Sequence, residues 1–536
     1  MKIQSSFIIA ACLLMDVCAP AAFARTKCIA HGWDLLNVTP EEVLANASSF
    51  ADTGLDGVTL MVRENYGEGR SISFSHGLPD SVWPIDARNL LKGKIGVFRQ
   101  IVKYPCLGES FLNVWWSPMR RRIPWTDDAS WANFATNMAT AAWLAKEGGL
   151  RGLVIDNEDY FKAKQFDWNK TNDLSYAETL ALARQRGREV FGAIFKEYPN
   201  AVILAFWLYS QEAINHKPVP RRMDNFSYER RRLWPSFLDG MWDVIPQDVR
   251  VVDGNEWGYD FMASRGDHLR SACDQRLRFG RVVAPEHLYR FRAQMGVGFG
   301  MYLDNYAKGI SCKWYPGTNP DPIATFRDNL AQINYATEDY VWFYGERSTW
   351  VRWKGLKAKK WEKLPSWNET LPGLYDVIEQ AKDPFLFATK RVRSGEAVNL
   401  VTNLIEQTTY WHDPEVSCAQ TNVLSGVLSA EGEGRGVFQI HLGGVSPGDR
   451  FAISVVASGT VSTGQVCWRK DRSWNWDRMP ISYLEFDAVD GGDDFRGATI
   501  VTAPAGADEL VFQPSVNLDQ GESVSYRDVT IIRLSH

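Results

Sequence analysis

Arg151 to Phe161 reads RGLVIDNEDYF. Leu153, Val154 and Ile155 form the apolar run of a buried strand, and Asp156, Glu158 and Asp159 follow it directly. In a barrel of parallel strands the C-terminal strand ends open onto the pocket, so acids at this point belong to its mouth. Side chains alternate along a strand, which puts Asp156 and Glu158 on one side and Asn157 on the other. Two carboxylates on one side repel each other, and the repulsion raises the pKa of one toward the value a general acid needs. The blander alternative for Asp156 or Glu158 is a structural ion pair or a cap, since perturbed acids also serve structure.

The flanking sequence repeats this strand pattern. Strands are expected at Cys28–Leu36, Gly57–Val62, Ser110–Ser117, Gly152–Glu158, Ala201–Tyr209, Val249–Glu256, Gly296–Asn305 and Tyr340–Glu346. Amphipathic stretches lie between them. Thr39 and Pro40 open one, SWANFATNMATAAWLAKEGG ends at a glycine pair, and Ser175–Tyr198 stops before Pro199. Eight strands alternating with helices predict a (β/α)8 barrel over residues 25–383. From residue 384 to 536 helical periodicity gives way to short alternating runs such as DRFAISVVASG and ELVFQPSV, which predict an all-β sandwich.

The first 24 residues carry Lys2, an apolar run from Phe7 to Met15, and Ala22-Phe23-Ala24. This is the pattern of a secretory signal peptide, so a secreted or periplasmic protein is expected. Six cysteines follow: Cys28, Cys106, Cys273, Cys312, Cys418 and Cys467. Export permits disulfides, and Cys418 with Cys467 is the one pair confined to the last domain. No later apolar run reaches the ~20 residues of a membrane span.

A formal net charge of -5 argues against a surface that tracks nucleic-acid phosphates. Aromatic content is high, with 22 Trp, 19 Tyr and 27 Phe, and indole faces suit the apolar C–H faces of sugar rings. Other strand ends add acids and an amide: Asp34 in HGWD, the amide Asn255 and Glu256 in GNEWGYDF, Asp304 in MYLDNY and Glu346 in FYGERSTW. Trp33, Trp115, Trp116, Trp207, Tyr209, Trp257, Tyr302 and Tyr344 flank them. A mouth of carboxylates and aromatics is what hydrolysis of a glycosidic bond requires.

Other features are weaker. The histidines, His31 and His76 among them, show no HxH or HExxH spacing, and no zinc pattern, GxSxG elbow or GxGxxG loop occurs, so neither a metal nor a cofactor is expected. MGVGFG (Met295–Gly300) is expected to serve close packing within a strand. DGGDDF (Asp490–Phe495) is expected to be a solvated turn rather than a calcium site. Arg63, Arg99 and Arg292 would matter if the substrate carried a carboxylate.

GLVIDNE resembles the Asp-x-Glu strand end of chitinase-like hydrolases of acetamido sugars. That resemblance implies Glu158 as general acid and Asp156 as the group holding the substrate's acetamido arm. Asn157-Glu158 also resembles the Asn-Glu at strand four of the large retaining barrel clan, which implies Glu158 as acid/base and a nucleophile on strand seven, here Asp304. Barrels that pair strands four and six would choose Glu256. The final strands resemble the carbohydrate-binding sandwiches appended to secreted glycoside hydrolases.

The combined expectation is an exported glycosidase acting on an oligo- or polysaccharide, with amino-sugar or acidic-sugar glycans among the candidates. Its catalytic carboxyls are drawn from Glu158, Glu256, Asp304 and Asp156. Asp34, Trp33, Trp116, Trp207, Tyr209, Asn255, Trp257, Tyr302 and Glu346 are expected to bind substrate. A glycan-binding protein without turnover and a polysaccharide lyase are the competing readings.

Overall fold

A computed structural model describes residues 26–534, apart from 68–69, 76–77, 120, 159–162, 172, 211–231, 308–320, 338, 415–416, 425, 475–478 and 490–491. The expected signal peptide, Asp159, His76, Cys312 and part of DGGDDF lie outside the described residues. The chain forms two compact units, Ala24–Ile378 and Glu379–His536.

In the first unit eight parallel strands close a barrel: β1 (Lys27–Ala30), β2 (Gly57–Leu60), β3 (Phe111–Trp115), β4 (Gly152–Asp156), β5 (Val202–Ala205), β6 (Arg250–Asp253), β7 (Met295–Tyr302) and β8 (Tyr340–Tyr344). Each pairs with its sequence neighbours, and β1 pairs with β8 to close the ring. Ile29, Phe111, Val154, Val202, Leu204, Val252, Tyr340 and Trp342 form one buried cluster, the apolar filling of the barrel. Because Val154 belongs to this filling, alternation brings Asp156 and then Glu158 to the same side.

The helices begin and end where the sequence supplies caps. Ser175 accepts from Glu178 N while Glu178 returns the bond to the Ser175 N–H, a capping box at the head of Tyr176–Glu197. Asp128–Gly148 ends on Gly149 at φ 75°, a conformation that favours glycine. Thr39 caps Pro40–Ala45 in the same reciprocal way through Glu42.

The expected strands overran their C-terminal ends. Gly32 presses against the turn after β8, since a Cβ there would meet Gly345 O at 2.9 Å, and Trp33–Asn37 turns into a short helix rather than extending β1. Leu303–Asn305 forms a 3-10 turn after β7. Asn255 sits at φ 41°, a left-handed conformation that Asn tolerates better than most side chains, and it breaks the strand expected to run to Glu256. MGVGFG packs as expected: a Cβ on Gly300 would meet the Trp342 ring at 2.7 Å.

The second unit contains two antiparallel sheets. One runs in the order Thr408–His412, Gly434–Gly443, Glu509–Leu518, Gly464–Lys470, Ser473–Trp474, with Ser482–Leu484 also on Gly464–Lys470. The other runs Gln420–Leu424, Val427–Glu431, Ser523–Leu534, Arg450–Gly459, Asp494–Thr502, Phe486–Ala488. Their apolar faces share a core that includes Phe438, Phe451, Trp468, Phe512 and Tyr526. Cys418 and Cys467 form no disulfide: the first is exposed, and the second is a buried thiol whose Sγ donates to Gln513 Oε1 at 3.3 Å. Among the described residues no helix is long and apolar enough to cross a membrane.

Candidate active site

A cavity of about 480 Å³ opens at the C-terminal ends of the strands. That volume falls within the ~300–1,000 Å³ of small-ligand sites. Its floor is Phe206 stacked on Trp342, with ring centroids 4.0 Å apart and planes 17° from parallel. Small residues make this floor possible. Trp342 Nε1 donates to Gly254 O at 2.8 Å, and a Cβ on Gly254 or on Gly300 would collide with the indole.

Three acids meet on one side. Asp156 ends β4 and is 2% exposed. Its Oδ1 accepts the Glu158 N–H at 3.0 Å, which fixes the turn that brings Glu158 to the cavity. Asn157 faces away and donates through Nδ2 to Trp207 O at 2.8 Å. Glu256 follows the left-handed Asn255 and lines the same cavity. Burial pushes the Glu256 carboxyl well above the usual glutamate range, and the nearby charges of Glu158 and then Asp156 push it further. The Trp207 indole opposes this shift in part by hydrogen bonding, and the same Nε1 donates to Glu158 Oε1 at 3.4 Å. Glu256 Oε2 is buried without a hydrogen-bond partner. A carboxyl with a raised pKa and an oxygen lacking a hydrogen-bond partner, beside two further carboxyls, is thus built into the wall.

Aromatic rings form the remaining walls. Trp207 meets Trp257 edge to face at 5.3 Å. Tyr302 stacks on Tyr344 at 5.3 Å, and Tyr259 lies nearly parallel to Tyr344 at 6.1 Å. Tyr344 Oη donates to Glu346 Oε1 at 3.0 Å. Trp33 stands at the mouth, 39% exposed. His31 is buried, and its pKa is lowered to about 3 by that burial, so the imidazole is neutral at physiological pH. Its Nδ1 bonds Thr59 Oγ1 at 2.8 Å, which leaves Nε2 for a cavity ligand.

The structure therefore gathers Asp156, Glu158, Glu256, Trp33, Trp207, Trp257, Tyr302 and Glu346 around one cavity. Five other expected residues do not line it. Asp304 is 1% exposed and accepts the Glu346 N–H through Oδ2 at 2.8 Å. Asp34 is 1% exposed, and its Oδ2 accepts Trp350 N at 3.1 Å and Trp353 Nε1 at 3.0 Å. Both acids hold the loop after β8 in place. Trp116 points outward into a cluster with Phe134, Phe191, Trp234 and Phe237, because inward-facing Trp115 precedes it by one residue. Tyr209 is fully buried and accepts Trp242 Nε1 at 2.7 Å. Asn255 donates to Ser271 Oγ at 2.7 Å and acts through its backbone turn. Arg63, Arg99 and Arg292 are also absent from the lining, and Arg99 is spent on Glu147.

Sequence reasoning did not select Phe206, Trp342, Tyr259 and Asp260, which also line the cavity. A signal for them existed. Phe206 and Trp342 each lie two residues beyond an inward residue, Leu204 and Tyr340, and Tyr259 and Asp260 lie within the GNEWGYDF stretch.

No family profile matches the sequence. No curated protein matches it. Among solved structures, a GH27 β-L-arabinopyranosidase from Geobacillus stearothermophilus is 10% identical, covering 93% of this chain and 98% of its own, with a TM-score of 0.33. The enzymatically active domain of tailspike protein 4 from bacteriophage CBA120 is 14% identical over 26% of this chain, with a TM-score of 0.21, and the match spans only 22% of the tailspike. A CBM4 structure is 16% identical over 26% of this chain and 95% of its own, with a TM-score of 0.19. At such scores the chemistry has to come from the site's own residues.

Proposed function

We propose that the chain is an exported glycoside hydrolase in which Glu256 is the general acid and Glu158 the partner carboxylate. One arrangement carries the reading: a buried carboxyl, Glu256, whose pKa is raised by burial and by the charges of Glu158 and Asp156, in an aromatic-walled cavity. The resemblances drawn from GLVIDNE gave the acid to Glu158, with Glu256 as the partner if strands four and six pair, whereas the electrostatics favour Glu256 as the acid.

In the reaction Glu256 gives its proton to the departing glycosidic oxygen as the C–O bond breaks. Glu158 attacks the anomeric carbon and forms a glycosyl ester. Water then hydrolyses the ester, with Glu256 taking the water's proton and returning to its starting state. Two carboxyls served by a single indole N–H favour the ~5–5.5 Å separation of retaining enzymes over the ~6.5–9.5 Å of inverting ones. Asp156 positions Glu158 through the backbone turn it accepts. Trp33 and the tyrosine stack offer faces for the sugar rings.

The second unit fits an accessory glycan-binding role. Trp411 is 53% exposed and Tyr483 65% exposed. Through the pairs Trp411–Val437, Val437–Ser515, Gln513–Gln465 and Gln465–Tyr483 they fall on one face of one sheet.

Chromogenic glycosides with poor and with activated leaving groups test the assignment. E256Q should lose turnover of the former and retain formation of the glycosyl ester with the latter, and azide should rescue it to a glycosyl azide of retained configuration. E158Q should lose both. Wild-type binding of glycans with no turnover on any member of a broad oligosaccharide panel would instead mark a lectin.

A further inference from the structure

Sixteen residues line the cavity, and five of them are acids: Asp156, Glu158, Glu256, Asp260 and Glu346. None of the described residues that line it is Lys or Arg. Proton transfer and nucleophilic attack use only two of these carboxyls, and Asp156 is occupied in fixing the turn. Asp260 and Glu346 remain. The Asp260 Oδ1 is buried with no hydrogen-bond partner, and Glu346 receives the Tyr344 hydroxyl on Oε1 only. Arg265 bonds Asp267 Oδ2 at 2.6 Å and the Asp260 carbonyl at 2.8 Å, and its charge partly offsets the burial that raises the Asp260 carboxyl; Arg347 stands 3.9 Å from Asp304 Oδ1. Tyr259, Tyr302 and Tyr344 line the same cavity, packed against one another, and their π faces also attract cations. Among the described residues the wall combines carboxylates and aromatic faces with no basic residue, an arrangement that favours positive charge over a carboxylate.

Resting on the glycosidase reading, we propose that the sugar recognised here carries a free ammonium group, as a de-N-acetylated hexosamine does, with Asp260 and Glu346 as the specificity-determining carboxylates. The same field disfavours uronic and sialic acids. The neutral His31, with Nε2 toward the cavity, bonds a sugar hydroxyl without opposing the cation.

The test measures binding to E256Q, which cannot turn over, by quenching of tryptophan fluorescence. The probes are methyl glycosides of glucosamine and galactosamine, their N-acetyl forms, the parent hexoses and the matching uronates. The expected result is at least a 10-fold preference for one amine over its parent hexose at low salt, no measurable binding of uronates, and loss of most of the preference in D260N and E346Q. Because buried pairs are screened less than exposed ones, the preference should shrink but persist at 0.5 M salt. Equal binding of amine and parent hexose, or a preference unchanged in both variants, would overturn the inference and leave the glycosidase reading standing. Tightest binding of a uronate would do the same. Failure of every sugar to bind would overturn both.

Discussion

Two sides of the barrel mouth use the same residue type in opposite ways. On the side of β7, β8 and β1, Asp304 and Asp34 receive backbone and indole N–H groups from the loop after β8 and hold that loop. On the side of β4 and β6, Glu158 and Glu256 face the cavity; each side keeps buried oxygens without a hydrogen-bond partner, Asp34 Oδ1 and Asp304 Oδ1 on the first and Glu256 Oε2 on the second. Burial raises carboxyl pKa values on both sides, to about 6 for Asp34 and Asp304 and well above the usual range for Glu256. A raised pKa therefore does not distinguish a structural acid from a catalytic one. Access to the cavity separates the two sides, whereas a neighbouring carboxyl does not, since Glu346 also raises Asp304.

The largest effect that should separate the two sides is on turnover. E158Q and E256Q are each expected to lower kcat by about 10²–10⁴-fold or more, while the thermal midpoint stays constant or rises as a buried charge conflict is removed. D304N should leave kcat within a few fold. Steady-state kinetics with calorimetry on the same samples checks both statements, and a D304N loss as large as that of E256Q would erase the contrast.

Stability should show the converse. D34A strands two donors, Trp350 N and Trp353 Nε1, at about 1–3 kcal/mol each, so the barrel should lose several kcal/mol. D34N keeps an acceptor and should lose less. The pH dependence follows from the raised pKa. Below the ordinary value of 3.8 Asp34 is protonated in both the folded and unfolded states, and its stabilisation is fully present; as pH rises through about 6 the folded carboxyl must ionise in a buried site, and the contribution is lost. The shift corresponds to about 3 kcal/mol between pH 4 and pH 8. Calorimetry across that range should show the fall in wild type and a shallower one in D34N; parallel curves would refute it.

The smallest effect is at the rim. W33A should raise KM by about 3- to 10-fold with kcat nearly constant, in keeping with one stacking face worth about 1 kcal/mol.

Much of this was legible in the sequence. All eight barrel strands could be placed because an apolar run bounded by turn residues is a local signal. The place of Glu158 and Glu256 at the cavity followed from the rule that barrel pockets open at the C-terminal strand ends. What could not be read was orientation. Trp115 and Trp116 are adjacent, and a one-residue change of register exchanges which of them faces the cavity. Asp34 and Asp304 sit at strand ends like Glu158, but their partners come from Glu346, Trp350 and Trp353, residues far away in the chain. Which carboxyl has the raised pKa was equally hidden, since it depends on three carboxyls and one indole brought together from β4, β5 and β6.

Protonation of Glu256 is the central claim, and carbon-13 NMR titration of its side-chain carboxyl measures it directly. The account predicts a midpoint well above the ordinary 4.5 that drops when E158Q removes the neighbouring charge. A Glu256 carboxyl that titrates near 4.5 and ignores the E158Q substitution would contradict it.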